Sequence, residues 1–180
     1  MSSVPLLLKS LVEPAEAPAI RWTLDCPTRG VVILDVAVGQ GASEAPLHWR
    51  AGDWSKPPLD VRLSDIGAVE SIQFVFQDES VDVGEVVMPA EAEVGLPTFD
   101  VGEWPAGRYS DARVDVRMLR LPSGELYAAI GDGQPKRAVS ATWGLRFGLD
   151  ASDQMGGIAL GPLTADEWQL VEASAPPTGS

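Results

Sequence analysis

Leu59, Val61 and Leu63 alternate with Asp60 and Arg62, and Ile72, Phe74 and Phe76 alternate with Gln73 and Gln77. Val114, Val116 and Met118 stand against Arg113, Asp115 and Arg117 in the same way, and Trp143, Leu145, Phe147 and Leu149 repeat the pattern. An apolar residue at every second place is the period of a strand with one face on a core and the other in water. A chain that repeats it so often hides those faces by packing sheet on sheet. The expected fold is therefore all-β, an antiparallel β-sandwich of jelly-roll-like kind.

Turn signals divide the rest. Ile20–Leu24 and Val31–Val38 flank Pro27-Thr28-Arg29-Gly30, a hairpin, and Pro122-Ser123-Gly124 leads into a strand at Leu126–Ile130. Val81–Met88 follows the Asp78-Glu79-Ser80 turn and reads as the third strand of a meander with 59–63 and 72–77. The apolar phase flips from Met118 to Leu119 and Leu121, which predicts a β-bulge there. Ile158–Leu163 reads as a last strand. Thr164-Ala165-Asp166-Glu167 carries the capping-box spacing, so a short helix is expected over 165–172, burying Trp168 and Val171.

Pro5, Pro14 and Pro18 make residues 1–18 an extended arm whose Leu6, Leu7, Leu8 and Leu11 must be buried on this chain or on a neighbour. The sandwich is expected over 19–172, as one domain or as two smaller units, 19–88 and 98–172, divided at the Pro89–Pro97 segment. Residues 173–180 read as a flexible tail. With no leader-like or membrane-length apolar run near Met1, the chain is expected to be made in a cytoplasm.

Charge narrows the partners. The 26 acidic and 13 basic residues leave a formal net charge of −13, which repels phosphates and anionic lipid. Neither nucleic acid nor membrane is an expected partner. The charge is also arranged in blocks: residues 63–107 hold ten acids and no base, residues 108–146 hold seven bases against four acids, and residues 147–180 hold five acids and no base. Either the basic strand Arg113, Arg117, Arg120 neutralises the acidic block within one molecule, or opposite faces carry opposite charge and subunits associate through them.

Motifs for chemistry are sparse. His48 is the single histidine and Cys26 the single cysteine, so a two-histidine metal site, a multi-cysteine zinc site and an intrachain disulfide are excluded. No phosphate loop, dinucleotide fingerprint or nucleophile elbow occurs, and no catalytic residue or required cofactor is assigned. Asp78, Ser80 and Asp82 resemble the start of a calcium loop, although the glycine falls one place late and Met88-Pro89 stands where a closing acid is needed. The competing reading is a solvated acidic turn. Trp49 and Trp54 bracket Arg50 and Asp53 in what reads as a loop, an arrangement suited to stacking on a sugar or gripping a protein. The competing reading has both indoles closing one end of the core.

Two passages carry resemblances. Leu59–Gly67 with Val69, Ile72–Phe76 and Val83–Val86 resembles the late strands of galactose-binding-like jelly rolls, which implies a sandwich and transfers no ligand residue. Ala106–Val116 and Gly161–Thr164 resemble stretches of tailed-phage baseplate and tail proteins, which implies assembly with other subunits. The functional expectation is a non-enzymatic structural or interaction protein, foremost a virion-type head-decoration, tail or baseplate component forming a homo-oligomer or larger assembly. The alternative is a carbohydrate-binding module. The arm leucines and Arg113, Arg117 and Arg120 are the expected assembly contacts, and Trp49, Arg50, Asp53 and Trp54 the expected ligand contacts.

Overall fold

The structure is a computed structural model and describes residues 4–13, 19–39, 43–78, 81–142 and 144–176. Its first strands are β1 (Leu8–Val12), β2 (Ile20–Thr28), β3 (Val31–Val38), β4 (Leu47–Gly52), β5 (Leu59–Leu63), β6 (Val69–Gln77), β7 (Asp82–Val83) and β8 (Ala92–Val94). There follow β9 (Leu96–Phe99), β10 (Tyr109–Arg113), β11 (Val116–Arg120), β12 (Leu126–Ile130), β13 (Arg137–Thr142), β14 (Leu145–Leu149), β15 (Met155–Leu160) and the helix α1 (Ala165–Glu172).

Two sheets face each other. One has the order β10-β4-β5-β6-β3-β2, the other β7-β11-β12-β15-β14-β13-β8. Alternation sends Leu59, Val61, Leu63, Ile72, Phe74 and Phe76 inward from the first sheet, and Leu145, Phe147, Leu149, Ile158 and Leu160 meet them from the second in one buried cluster. The chain is a β-sandwich, held by apolar area withdrawn from water between the layers. Most ladders are antiparallel. Among the described residues three are parallel, β10 on β4, β7 on β11 and β8 on β13, and each adds an outermost strand from a distant part of the chain.

The described part of the N-terminal arm belongs to this sandwich. Strand β1 pairs with β9 as a ribbon, and single bridges tie that ribbon to both layers, Leu7 to Gln154 and Ala68 to Thr98. Leu6 is fully buried (0% exposed), and Leu8 and Leu11 pack on the same core, so these leucines are covered by their own chain. The ribbon docks closely: Phe99 donates its backbone N–H to Gly67 O at 2.8 Å, and a Cβ on Gly67 (φ +85°) would fall 2.0 Å from Phe99 O. Only glycine fits. Residues 1–3 and 14–18 of the expected arm lie outside the described residues.

Several expectations are corrected. No bulge interrupts β11, whose ladder with β12 runs evenly from Val116↔Ile130 to Arg120↔Leu126. The phase flip has another cause: this layer is covered on both sides. Met118 faces the main core, while Leu119 and Leu121 join Tyr127, Ala129 and Ala159 in a second cluster on the outer side, under Val86 and Met88. The Val81–Met88 segment does not extend a meander. It leaves the first layer, and its short strand β7 runs beside β11 in the other. The last strand begins at Met155 and ends at Leu160, ahead of the expected span, and Trp143 lies outside the described residues.

Helix α1 forms where its capping box places it: the Glu167 N–H donates to Thr164 Oγ1, and the Thr164 N–H donates to the Glu167 carboxylate. Trp168 and Val171 are buried, and the indole N–H of Trp168 reaches Gly124 O at 2.9 Å. Ser174, in the expected tail, is buried and donates to Val171 O, so ordered packing continues past the helix. No helix among the described residues is long and apolar enough to cross a membrane.

Candidate functional site

The alternation that buries Leu47, Trp49 and Ala51 of β4 turns His48 and Arg50 outward, and the same rule on β5 turns Asp60 and Arg62 outward. Parallel pairing then sets Tyr109 of β10 beside His48 and Asp111 beside Arg50. Across the antiparallel β4–β5 ladder, His48 faces Arg62 and Arg50 faces Asp60. Three strands thus lay six polar or aromatic side chains on one outer face.

Their contacts form a column. The imidazole of His48 stacks on Tyr109 with ring centroids 4.6 Å apart and planes 17° from parallel. The Arg50 guanidinium lies 4.6 Å from the Tyr109 ring and 5.6 Å from that of Trp54. The cation thus bridges two aromatic rings, a favourable arrangement with their quadrupoles. Asp111 locks it from the side: Arg50 Nε donates to one carboxylate oxygen at 2.7 Å and Nη2 to the other at 2.9 Å. That fork raises the Arg50 pKa. Asp60 orients the other end, with His48 Nδ1 at 2.9 Å and Arg62 Nε at 3.6 Å from its Oδ2.

Trp54 ends the column, and the backbone is bent to put it there. Its φ is +65°, a left-handed conformation that costs a bulky residue on the order of 1 kcal/mol or more. Asp53 builds the turn, its Oδ1 accepting from the Ser55 N–H at 2.8 Å and from Ser55 Oγ at 2.6 Å. The Ser55 hydroxyl first, then its amide, lowers the Asp53 pKa. Beside Trp54 an open shelf of about 460 Å³ is lined by Arg50, Ser55, Lys56, Pro57 and Pro58.

The expected ligand residues therefore separate. Arg50 and Trp54 are brought together at a solvent-facing surface, and Asp53 shapes their turn. Trp49 is corrected: it lies on β4 rather than in a loop, is 3% exposed, and donates its indole N–H to Val4 O at 3.0 Å. The sequence alone does not single out Tyr109, Asp111 or Asp60 as members of this site. Asp60 was visible as an outward position of an alternating strand, whereas no local signal joins Tyr109 and Asp111 to a strand some sixty residues earlier.

The remaining candidates are dispersed. Arg120 pairs with Glu172 of α1 at 3.0 Å and lies 4.8 Å from the Trp168 ring, while Arg113 and Arg117 are exposed and have no ion pair among the described residues. Bases elsewhere in the basic block reach acids in the same chain: Arg108 pairs with Asp65 and Arg146 with Glu125, both at 2.7 Å, and Arg137 pairs with Glu93 and Asp153. Of the calcium-like residues, the Asp78 carbonyl oxygen accepts from Lys56 and Asp82 is part of β7; Ser80 lies outside the described residues. No group of three His, Cys, Asp or Glu side chains that could hold a metal occurs among the described residues.

Chemically, the column offers fixed donors, fixed acceptors and aromatic surface rather than an isolated reactive group. No hydroxyl or thiol is hydrogen-bonded to His48 Nε2 among the described residues. Compared with known proteins, the chain matches no family model, and no curated protein is significantly similar to it.

Proposed function

We propose that this chain is a non-enzymatic interaction protein that binds a glycan on the outer face of its six-stranded sheet. The observation that carries the reading is the His48–Tyr109–Arg50–Trp54 column, terminated by a tryptophan held in a strained backbone conformation. Sugar rings present an apolar face edged with hydroxyls. A half-buried indole beside a guanidinium and carboxylates clamped in place matches both features and loses little side-chain entropy on binding. The test is binding of the full chain to a glycan array, followed by titration calorimetry on the hits. Trp54→Gly relieves the positive φ and removes the ring, so it is expected to fold normally and lose binding. Binding that survives in the folded variant overturns the proposal.

A second reading is that of a structural assembly component of the virion type, a head-decoration, tail or baseplate protein. It is supported by the exposed Arg113 and Arg117 together with Val83 and Val87, which are each more than 70% exposed on or beside the outermost strand β7, the neighbour of β11 in the second sheet. Apolar and cationic side chains so placed suit contact with another protein. Pelleting with candidate capsid or tail particles, abolished by Val83→Asp with Val87→Asp, is the expected outcome. A wild-type chain that never co-sediments removes this reading.

A further inference from the structure

Strand β2 is nine residues long, ends the six-stranded sheet, and among the described residues pairs only with β3. The direction of its free groups follows from one bond. Gly39 donates to Ala19 O at 2.9 Å, so the backbone of residue 19 faces β3, and alternation gives the same orientation to Arg21, Thr23 and Asp25. The N–H and C=O groups of Ile20, Trp22 and Leu24 therefore point away from the sheet, and none has a hydrogen-bond partner among the described residues. A row of this kind is a template for another strand.

We infer that β2 is the contact through which two copies of this chain associate, antiparallel and edge to edge, with Thr23 on the two-fold axis. Charge selects that register. Reading the strand against itself about Thr23 places Arg21 opposite Asp25 of the second copy, and Asp25 opposite its Arg21, on the exposed face of the strand. On the inner face Trp22 meets Leu24 of the second copy, beside the core that both already pack against. The four opposed pairs that flank Thr23 are attractive. Moving the axis one residue either way sets Arg21 against Thr23 or Pro27, and no salt bridge forms. The pairing also respects the ladder: residues 22 and 24 would exchange main-chain hydrogen bonds, while 21, 23 and 25 would occupy the sites between them. Beyond Asp25 the β2–β3 register shifts, Pro27 removes a donor, and the Cys26 N–H bonds Asp25, so the new ladder is bounded at that end. Strand β2 is the opposite edge of the six-stranded sheet from β10, which carries Tyr109 and Asp111 of the aromatic column.

Sedimentation equilibrium of the full chain tests it. The wild type is expected to dimerise. Arg21→Asp and Asp25→Arg each create two like-charge contacts across the axis and are expected to weaken association by at least roughly tenfold, while the double swap restores it. Both positions are exposed, and circular dichroism checks that each variant folds. As a second probe, Thr23→Cys in a Cys26→Ser background is expected to give a disulfide-linked dimer on mild oxidation, because opposed residues at such a site have Cα atoms about 4.5 Å apart. A wild type that stays monomeric at its highest soluble concentration, single swaps without effect, or a double swap that fails to restore association overturns the inference.

Discussion

Replacing Tyr127 by phenylalanine is expected to stabilise the protein, although it deletes the polar end of one of its largest buried side chains. Tyr127 is 1% exposed and lies on the outer side of the second sheet beneath Val86 and Met88. Its ring crosses Gly157 of β15, where an added Cβ would stand 2.0 Å from the phenol oxygen, and the hydroxyl approaches Gly148 of β14. Glycine at 157 opens the space the ring occupies, but supplies nothing for the hydroxyl, which is buried with no hydrogen-bond partner among the described residues. Leaving such a group dry costs about 1–3 kcal/mol, so Tyr127→Phe is expected to gain about 1 kcal/mol, or roughly 3 °C in Tm for a chain of this size. Titration separates this cause from a packing change. Burial pushes the Tyr127 pKa up to about 12, against 10 for the free side chain. The unfolded chain thus releases this proton first. The stabilisation is complete below about pH 10 and is lost as pH rises toward 12, a swing of about 3 kcal/mol. Urea unfolding at neutral pH and through the alkaline range, on wild type and variant, measures both effects. A variant less stable at neutral pH with unchanged m-value, or one that keeps the full alkaline loss, refutes the reasoning.

The other predictions concern the same ring, the helix and the column. Gly157→Ala forces Tyr127 out of its place and is expected to cost about 3 kcal/mol or more, read from a fall in the urea midpoint. Thr164→Ala removes the cap of α1 and is expected to cost about 1 kcal/mol in thermal unfolding, with the rest of the sandwich intact. Asp111→Asn breaks the fork on Arg50 near the surface, so stability is expected to change by less than about 1 kcal/mol. Glycan affinity is expected to fall several-fold in the same variant, because the guanidinium is no longer fixed.

Period-two strands were the readable part of this chain because each has one dry and one wet face. Leu59–Leu63 and the Ile72–Gln77 stretch of β6 are of this kind, and their side chains point where the alternation says. The helix was readable for a different reason: a capping box is a local contract between Thr164 and Glu167 that needs no distant partner. Strand β12 announces no face at all, since Leu126–Ile130 is buried on both sides. Strand β13, with Ala138, Val139 and Ala141 inside, lacks the bulky alternation that signals a strand. The acidic stretch after Pro89 hides β8 and β9, which become strands only because β13 and β1 supply partners.

The sequence by itself determined the class of fold, because alternation leaves a sheet no way to hide its apolar side except against another layer. It also determined the position of α1 and the blocks of charge. Tertiary structure alone decided which residues share a surface. Their chemistry marks Arg50 and Trp54 in the sequence, but Tyr109 and Asp111 complete the column only through a parallel edge pairing that links distant segments. Such a pairing leaves no local trace, since its hydrogen bonds are made by backbone that every residue carries. The same holds for the doubled covering of β11, where the flip from Met118 to Leu119 marks a second dry face rather than a break in the strand.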